Sequence, residues 1–256
     1  MKSTQPFTWL LAGLLPLASL HASEHPAALA ALEARGATVV GSFDAPGGLK
    51  GYAARYQGQG VALYLTPDGE HVLAGSLFDA KGQDLSQAPL DRLVYEPLAQ
   101  QMWSRLQATT WIADGDPKAP RILYVFSDPN CPYCNLFWNQ ARPWVDAGKV
   151  QLRHVMVGLI RADSSGKSAA LLSARDPKAA LHAHESAGKA STLKPLATIP
   201  ESIQKQLAEH TGLMKELGTQ ATPAIFYLDD QGRLQQQQGA PRPEALAQLL
   251  GPLAAR

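Results

Sequence analysis

The chain has 256 residues, 45% hydrophobic and 18% charged, with 21 Gly and 19 Pro. This is ordinary globular chemistry, not disorder, collagen or coiled coil, and the length allows one or two domains with a core of normal size. The 23 basic and 22 acidic side chains give a net charge of +1, which argues against nucleic-acid binding, since that needs a strongly basic surface.

Residues 1–22 read as a secretory signal peptide. Lys2 is the only charge before Glu24, and Phe7 to Leu20 (FTWLLAGLLPLASL) is almost wholly apolar. Gly13 and Pro16 interrupt that run, and it is too short to span a bilayer comfortably. A basic start, a short apolar stretch and the small residue Ala22 fit a leader cut after Ala22. An uncleaved membrane anchor is the alternative. Cleavage removes Lys2 and no acid, leaving 22 residues of each sign.

Residues 23 to about 90 form a first module. Ala27 to Arg35 predicts a short amphipathic helix ending at Gly36. Strand-like runs follow at Thr38–Phe43, Gly51–Tyr56, Val61–Leu65 and His71–Phe78. Ala45-Pro-Gly-Gly48, Gly58-Gln-Gly60 and Thr66-Pro-Asp-Gly69 are the turns between them. One helix on a small antiparallel sheet with few aromatics makes a thin core, and a second copy of the module is the economical partner for it.

Residues 91–117 read as a linker helix. After Pro97, the residues Leu98, Met102, Leu106 and Thr109 or Thr110 keep helical spacing, so the helix is expected over 98–112, stopped by Asp114-Gly-Asp-Pro117.

Residues 118–256 form a second module. Arg121–Ser127 (RILYVFS) and Val150–Val157 are apolar runs of the kind found in buried strands. A helix is expected from about Cys131 to Ala147. Residues 159–217 read as mostly helical, broken at Gly166, Pro177, Gly188 and Pro195 to Pro200. Ala224–Leu228 and Arg233–Gln238 flank Asp229-Asp-Gln-Gly232 as a hairpin, and Pro243–Leu250 closes the chain as a helix. The order is that of an α/β module around a mixed sheet.

The chain's two cysteines, Cys131 and Cys134, lie in SDPNCPYCNLFW, where a buried strand ends and a helix opens. Unpaired N–H groups and the positive end of the helix dipole favour a thiolate at Cys131, the reactive form. Pro132 suits the first helical turn, where its missing N–H costs nothing. Cys134 lies one turn along the same face, within reach of a disulfide. Three readings of the pair stand: a redox-active dithiol, an inert disulfide, and half of a zinc site. The loop such a disulfide closes is too small to stabilise much, and a zinc site needs two more ligands. Setting and export therefore favour the redox pair. His182 and His184, at i and i+2, point to different helix faces; with His154 and His210 they read as surface or satisfied core histidines. No Gly-x-Ser-x-Gly elbow is present for a hydrolase. Downstream, Ala221-Thr222-Pro223 places a proline before an apolar strand, where proline is tolerated.

A strand, a CxxC helix and a later Thr-Pro before a strand resemble the thioredoxin fold. FDAPGGLKGY (43–52), YLTPDG (64–69), SDPNCPYCNLFWNQARPWVDAGKVQLR (127–153) and ATPAIFYL (221–228) extend the resemblance over nearly the whole mature chain, to the DsbC/DsbG family of periplasmic thiol:disulfide interchange proteins. The resemblance implies an α+β N-terminal cystatin-like dimerisation domain, a linker helix, and a thioredoxin-like catalytic domain with a helical insertion, assembled as a V-shaped homodimer. It implies Cys131 as nucleophile, Cys134 as resolving cysteine, and Pro223 as a cis-proline facing them, with Thr222 before it and Pro132 and Tyr133 supporting the site. It implies no cofactor beyond the Cys131–Cys134 disulfide and no metal. Its implied partners are exported proteins with wrong disulfides or oxidised single cysteines, and a DsbD-type membrane reductase as electron donor. Pro-Tyr between the cysteines is shared with glutaredoxins, but the leader and the first module exclude that reading. A DsbA-like oxidase and a chaperone or binding module are the remaining alternatives.

Overall fold

The structure is a computed structural model and describes residues 25–253. The signal peptide expected over 1–22 lies outside the described residues. The described residues divide into two compact units, which part between Val94 and Tyr95.

In the first unit, α1 (Ala27–Glu33) precedes β1 (Thr38–Asp44), β2 (Lys50–Tyr56), β3 (Gln59–Leu65) and β4 (Val72–Ala74), an antiparallel sheet in chain order. Tyr52, Ala53 and Ala54 are buried in succession because both sheet faces are covered. Leu29 of α1 packs with Tyr52, Ala54, Leu63 and Leu65 on one face. On the other, Phe43, Ala53, Ala62 and Tyr64 meet Leu90 and Val94, from α2 (Gln87–Leu90) and the π-helical turn Asp91–Tyr95. Burying a side chain such as Leu29 fully contributes about 2 kcal/mol. Gly51 stands opposite Phe43 in the register, and a Cβ there would lie 2.3 Å from the Phe43 ring, so the aromatic ring needs the glycine beside it. The strand expected over His71–Phe78 is shorter, Val72–Ala74, because Gly75 takes a φ of +142° and turns the chain away.

The second unit holds α3 (Glu96–Ala108), β5 (Ile112–Asp114), β6 (Arg121–Ser127), α4 (Pro132–Asp146), β7 (Val150–Met156), α5 (Ser164–Leu172), α6 (Pro177–Ala187), α7 (Glu201–Glu216), β8 (Ala224–Leu228), β9 (Leu234–Gln238) and α8 (Leu246–Leu250). Its five strands run β5-β7-β6-β8-β9; β6 and β7 are parallel, the other pairs antiparallel. Leu123, Val125, Leu152 and Ile225 pack under α4 and α8, while Tyr124, Phe126, Val155 and Phe226 pack under α3 and α7. The central strand β6 is therefore apolar on both faces, as its unbroken run predicts.

Two expectations are corrected. The linker helix stops at Ala108, and Ile112–Asp114 is instead an edge strand paired with Leu152–His154 of β7. A buried ion pair fixes it there: Arg142 of α4 grips both carboxylate oxygens of Asp114, and His154 of β7 lies 3.7 Å away. Gly166 does not break a helix but sits inside α5, where a Cβ would lie 2.7 Å from Pro195; the glycine lets the 195–196 loop press onto the helix.

Candidate active site

β6 ends at Ser127, and the chain turns at Asp128-Pro-Asn before α4. Cys131 is the N-cap of α4, in extended conformation, with Pro132 and Tyr133 opening the helix. The carbonyl of Cys131 accepts the N–H groups of Cys134 (3.2 Å) and Asn135 (3.3 Å), which fixes Cys134 one turn in. Both cysteines are free thiols; Cys131 is 5% exposed and Cys134 3%, whereas Tyr133 is 61% exposed. The Thr222–Pro223 bond is cis, and the Cys131 thiol donates to the Thr222 carbonyl at 3.3 Å. Folding thus brings Cys131, Pro132, Tyr133, Cys134 and Thr222–Pro223 to one site from positions about ninety residues apart in sequence.

The two sulfurs are pulled in opposite directions. The Cys134 thiol hydrogen-bonds Cys131; despite the opposing effect of burial, that bond, the Thr222 side chain, and the N–H groups of Cys134 and Tyr133 bring Cys131 from 9.0 down to about 6. Burial, together with the neighbouring Cys131, pushes the Cys134 thiol well up. The buried Thr222 side chain faces both thiols and draws both down.

The turn before Cys131 hangs on the fully buried Asp128. Its carboxylate accepts the N–H groups of Asn130 (2.8 Å), Leu159 (2.6 Å) and Ile160 (3.0 Å), and the hydroxyl of Ser164 (2.9 Å). Asn135 of α4 donates to the backbone carbonyl (2.7 Å) and carboxylate (2.8 Å) of Glu185 in α6. His184 is a satisfied histidine, with Nε2 2.8 Å from the Pro129 carbonyl and Nδ1 2.6 Å from the Ser191 hydroxyl. His182 stacks edge-on against Trp138, and His210 Nδ1 bonds the Met156 carbonyl. Asn135, His184 and Glu185 line a cleft of about 470 Å³ that reaches Cys131 and is otherwise walled mainly by the helical insertion. Sequence reasoning missed Asp128, Asn135 and Glu185. The one sequence-level sign was an Asp-Pro-Asn turn whose acid could cap the backbone that follows.

Residues 112–254 match the model of a thioredoxin-like domain, and residues 19–87 that of the disulfide bond isomerase protein N-terminal domain. A lowered-pKa thiol capping a helix beside a buried partner thiol, on this sheet, defines a thiol–disulfide exchange enzyme of the thioredoxin class. The chain is 65% identical over 231 residues to the thiol:disulfide interchange protein DsbG of Pseudomonas aeruginosa, covering 90% of each chain. It is 43% identical to the DsbG of Escherichia coli over 94% of this chain and 97% of that one. The chain belongs to the DsbG family of thiol:disulfide interchange proteins. Among solved structures, Proteus mirabilis ScsC in a transitional conformation shares the fold at 23% identity and a TM-score of 0.51, over 65% of this chain and 81% of that chain.

Proposed function

We propose that this chain is a periplasmic disulfide isomerase and reductase in which Cys131 attacks and Cys134 resolves. The observation that carries the reading is the opposed tuning of the two sulfurs, with Cys131 at about 6 and Cys134 pushed up. At neutral pH Cys131 is a thiolate and Cys134 a thiol. The Cys131 thiolate attacks one sulfur of a substrate disulfide, forms a mixed disulfide and releases the other sulfur as thiolate. A second substrate thiolate can displace Cys131, which regenerates the thiolate and exchanges partners with no net redox change. Alternatively Cys134 loses its proton and attacks the Cys131 sulfur. The substrate leaves with both sulfurs reduced; the two electrons come from the Cys131/Cys134 dithiol, which is left oxidised as the Cys131–Cys134 disulfide.

A sulfenic acid on a single exposed cysteine fits the same site. Attack by the Cys131 thiolate forms the mixed disulfide and expels hydroxide, which takes up a proton from solvent to leave as water, and Cys134 then frees the reduced cysteine. Tyr133, exposed on the first turn of α4, and the Thr222–Pro223 segment are the contacts for substrate. A DsbD-type membrane reductase returns two electrons to the pair. The basic, apolar leader supports export to the periplasm. The homodimer is supported by the match to the N-terminal domain and by the large apolar side chains Leu73 and Phe78, exposed in the first unit. A chaperone role on unfolded chains would accompany the redox work.

Replacement of each cysteine tests the reading. Cys134→Ser is expected to accumulate mixed disulfides with periplasmic proteins and Cys131→Ser almost none; equal trapping by both would overturn the assignment. The in vivo redox state of the pair separates this reading from an oxidase, since a reductase or isomerase is held mostly reduced.

A further inference from the structure

We propose that the cleft beside Cys131 selects substrate polypeptides carrying an Asp or Glu side chain next to the target cysteine, and that Arg161 and Lys189 hold that carboxylate. The proposal rests on the thiol–disulfide reading above and names a substrate class for it.

Cys131 forms part of the cleft wall, with Arg161 and Lys167 on the α5 side and Glu185 and Lys189 on the α6 side. Lys167 is already engaged, donating to the Asn130 side-chain amide oxygen Oδ1 at 2.8 Å and lying 3.1 Å from the Asp163 carboxylate. Glu185 is almost fully covered and its carboxylate takes the Asn135 amide. Among the described residues, the Arg161 guanidinium and the Lys189 ammonium form no ion pair. The cleft therefore presents two uncommitted cations against one covered carboxylate, and carries excess positive charge.

The nucleophile itself bounds this cleft. A polypeptide whose sulfur reaches Cys131 must lay a flanking side chain over it. A guanidinium and an ammonium both favour a carboxylate there. The walls are fixed before substrate arrives: Asn135 ties α4 to Glu185, and His184 ties α6 to the Pro129 carbonyl. The backbone of the cleft is thus set in advance, and ordering the exposed Arg161 and Lys189 side chains is the main cost left to binding.

The test uses the reduced full-length protein and two peptides. Each carries one cysteine as a mixed disulfide with 2-mercaptoethanol, and they differ in having Glu or Gln beside it. With the reduced protein in excess, single-turnover reduction of the Glu peptide is expected to show a second-order rate constant about five-fold higher, carried by tighter apparent binding and fading at high salt. R161Q/K189Q should bring the ratio near one, and R161K with Lys189 intact should keep most of it. Equal rates with the unmodified protein, or a preference that persists in R161Q/K189Q, would overturn the proposal. Free glutarate competing as strongly as the Glu peptide would assign the cleft to small anions and overturn the polypeptide reading. Failure to reduce either peptide would overturn the thiol–disulfide reading itself, a result distinct from loss of preference alone.

Discussion

The thiol of Cys131 donates to the backbone carbonyl of Thr222 at 3.3 Å, so the nucleophile is held against the segment that begins β8. That contact keeps the sulfur covered, yet Cys131 sits at about 6, because donors outnumber the effect of burial.

The first prediction follows from the order of those donors. Alkylation of Cys131 by iodoacetamide should show a midpoint near 6. Cys134→Ala removes the largest downward influence and should move the midpoint up toward 9.0. Thr222→Val, which keeps the shape and deletes the hydroxyl, should move it up less. An unchanged midpoint in Cys134→Ala would assign the acidity to the helix N-terminus instead.

The second prediction concerns stability against pH. Below pH 6 the Cys131 thiol is protonated whether folded or unfolded; between about 6 and 9.0 it is ionised only when folded. The reduced protein should therefore gain stability relative to the oxidised protein as the pH rises from about 6, and lose that gain on return. Cys134, raised when folded, opposes this only near and above its unfolded value. Melting temperatures of both forms from pH 5 to 8 check it; parallel curves would contradict it.

The third prediction concerns the ion pair behind β5. Burial pushes the Asp114 carboxyl up, and His154 and then Arg142 more than reverse this, holding it well below the usual range. Arg142→Met leaves that carboxylate buried without the guanidinium that meets both its oxygens and should cost about 3 kcal/mol in urea unfolding. Asp114→Asn added to it should recover most of the loss. A single-variant cost below about 1 kcal/mol would show that the pair is dispensable.

The fourth prediction concerns assembly. Leu73 lies on β4, an edge strand of the first sheet, and is 57% exposed, with Phe78 58% exposed a few residues on. An exposed apolar edge invites pairing with a second chain. Leu73→Asp should weaken the proposed homodimer by about ten-fold or more in sedimentation, leaving the thiol chemistry on small disulfides intact. An unchanged dimer would place the interface elsewhere.

The strands β6 and β7 and the start of α4 were legible because burial on both faces writes an unbroken apolar run, and because Cys-Pro after a strand is a helix opening. β5 was not. Three residues carry no period, and what makes Ile112–Asp114 a strand is Arg142 and His154, some thirty to forty residues away. The same reason hid the cleft. Arg161, Glu185 and Lys189 are ordinary surface letters until α5 and α6 fold back onto the turn before Cys131. Gly166 misled because a glycine required for close packing reads in sequence like one required for a bend.

Asp128 gives the helical insertion a mechanical role. One carboxylate gathers Asn130 from the turn before the nucleophile, Leu159 and Ile160 from the loop leaving β7, and Ser164 from the start of α5. It acts as a shared hinge pin with no free rotation. Although the insertion interrupts the sheet's sequence between β7 and β8, its first loop is bolted to the chain just ahead of Cys131. The loop that exposes the Leu159 and Ile160 side chains is thus tied through its backbone to the same carboxylate that shapes the turn before Cys131, so a change in either segment is felt by the other.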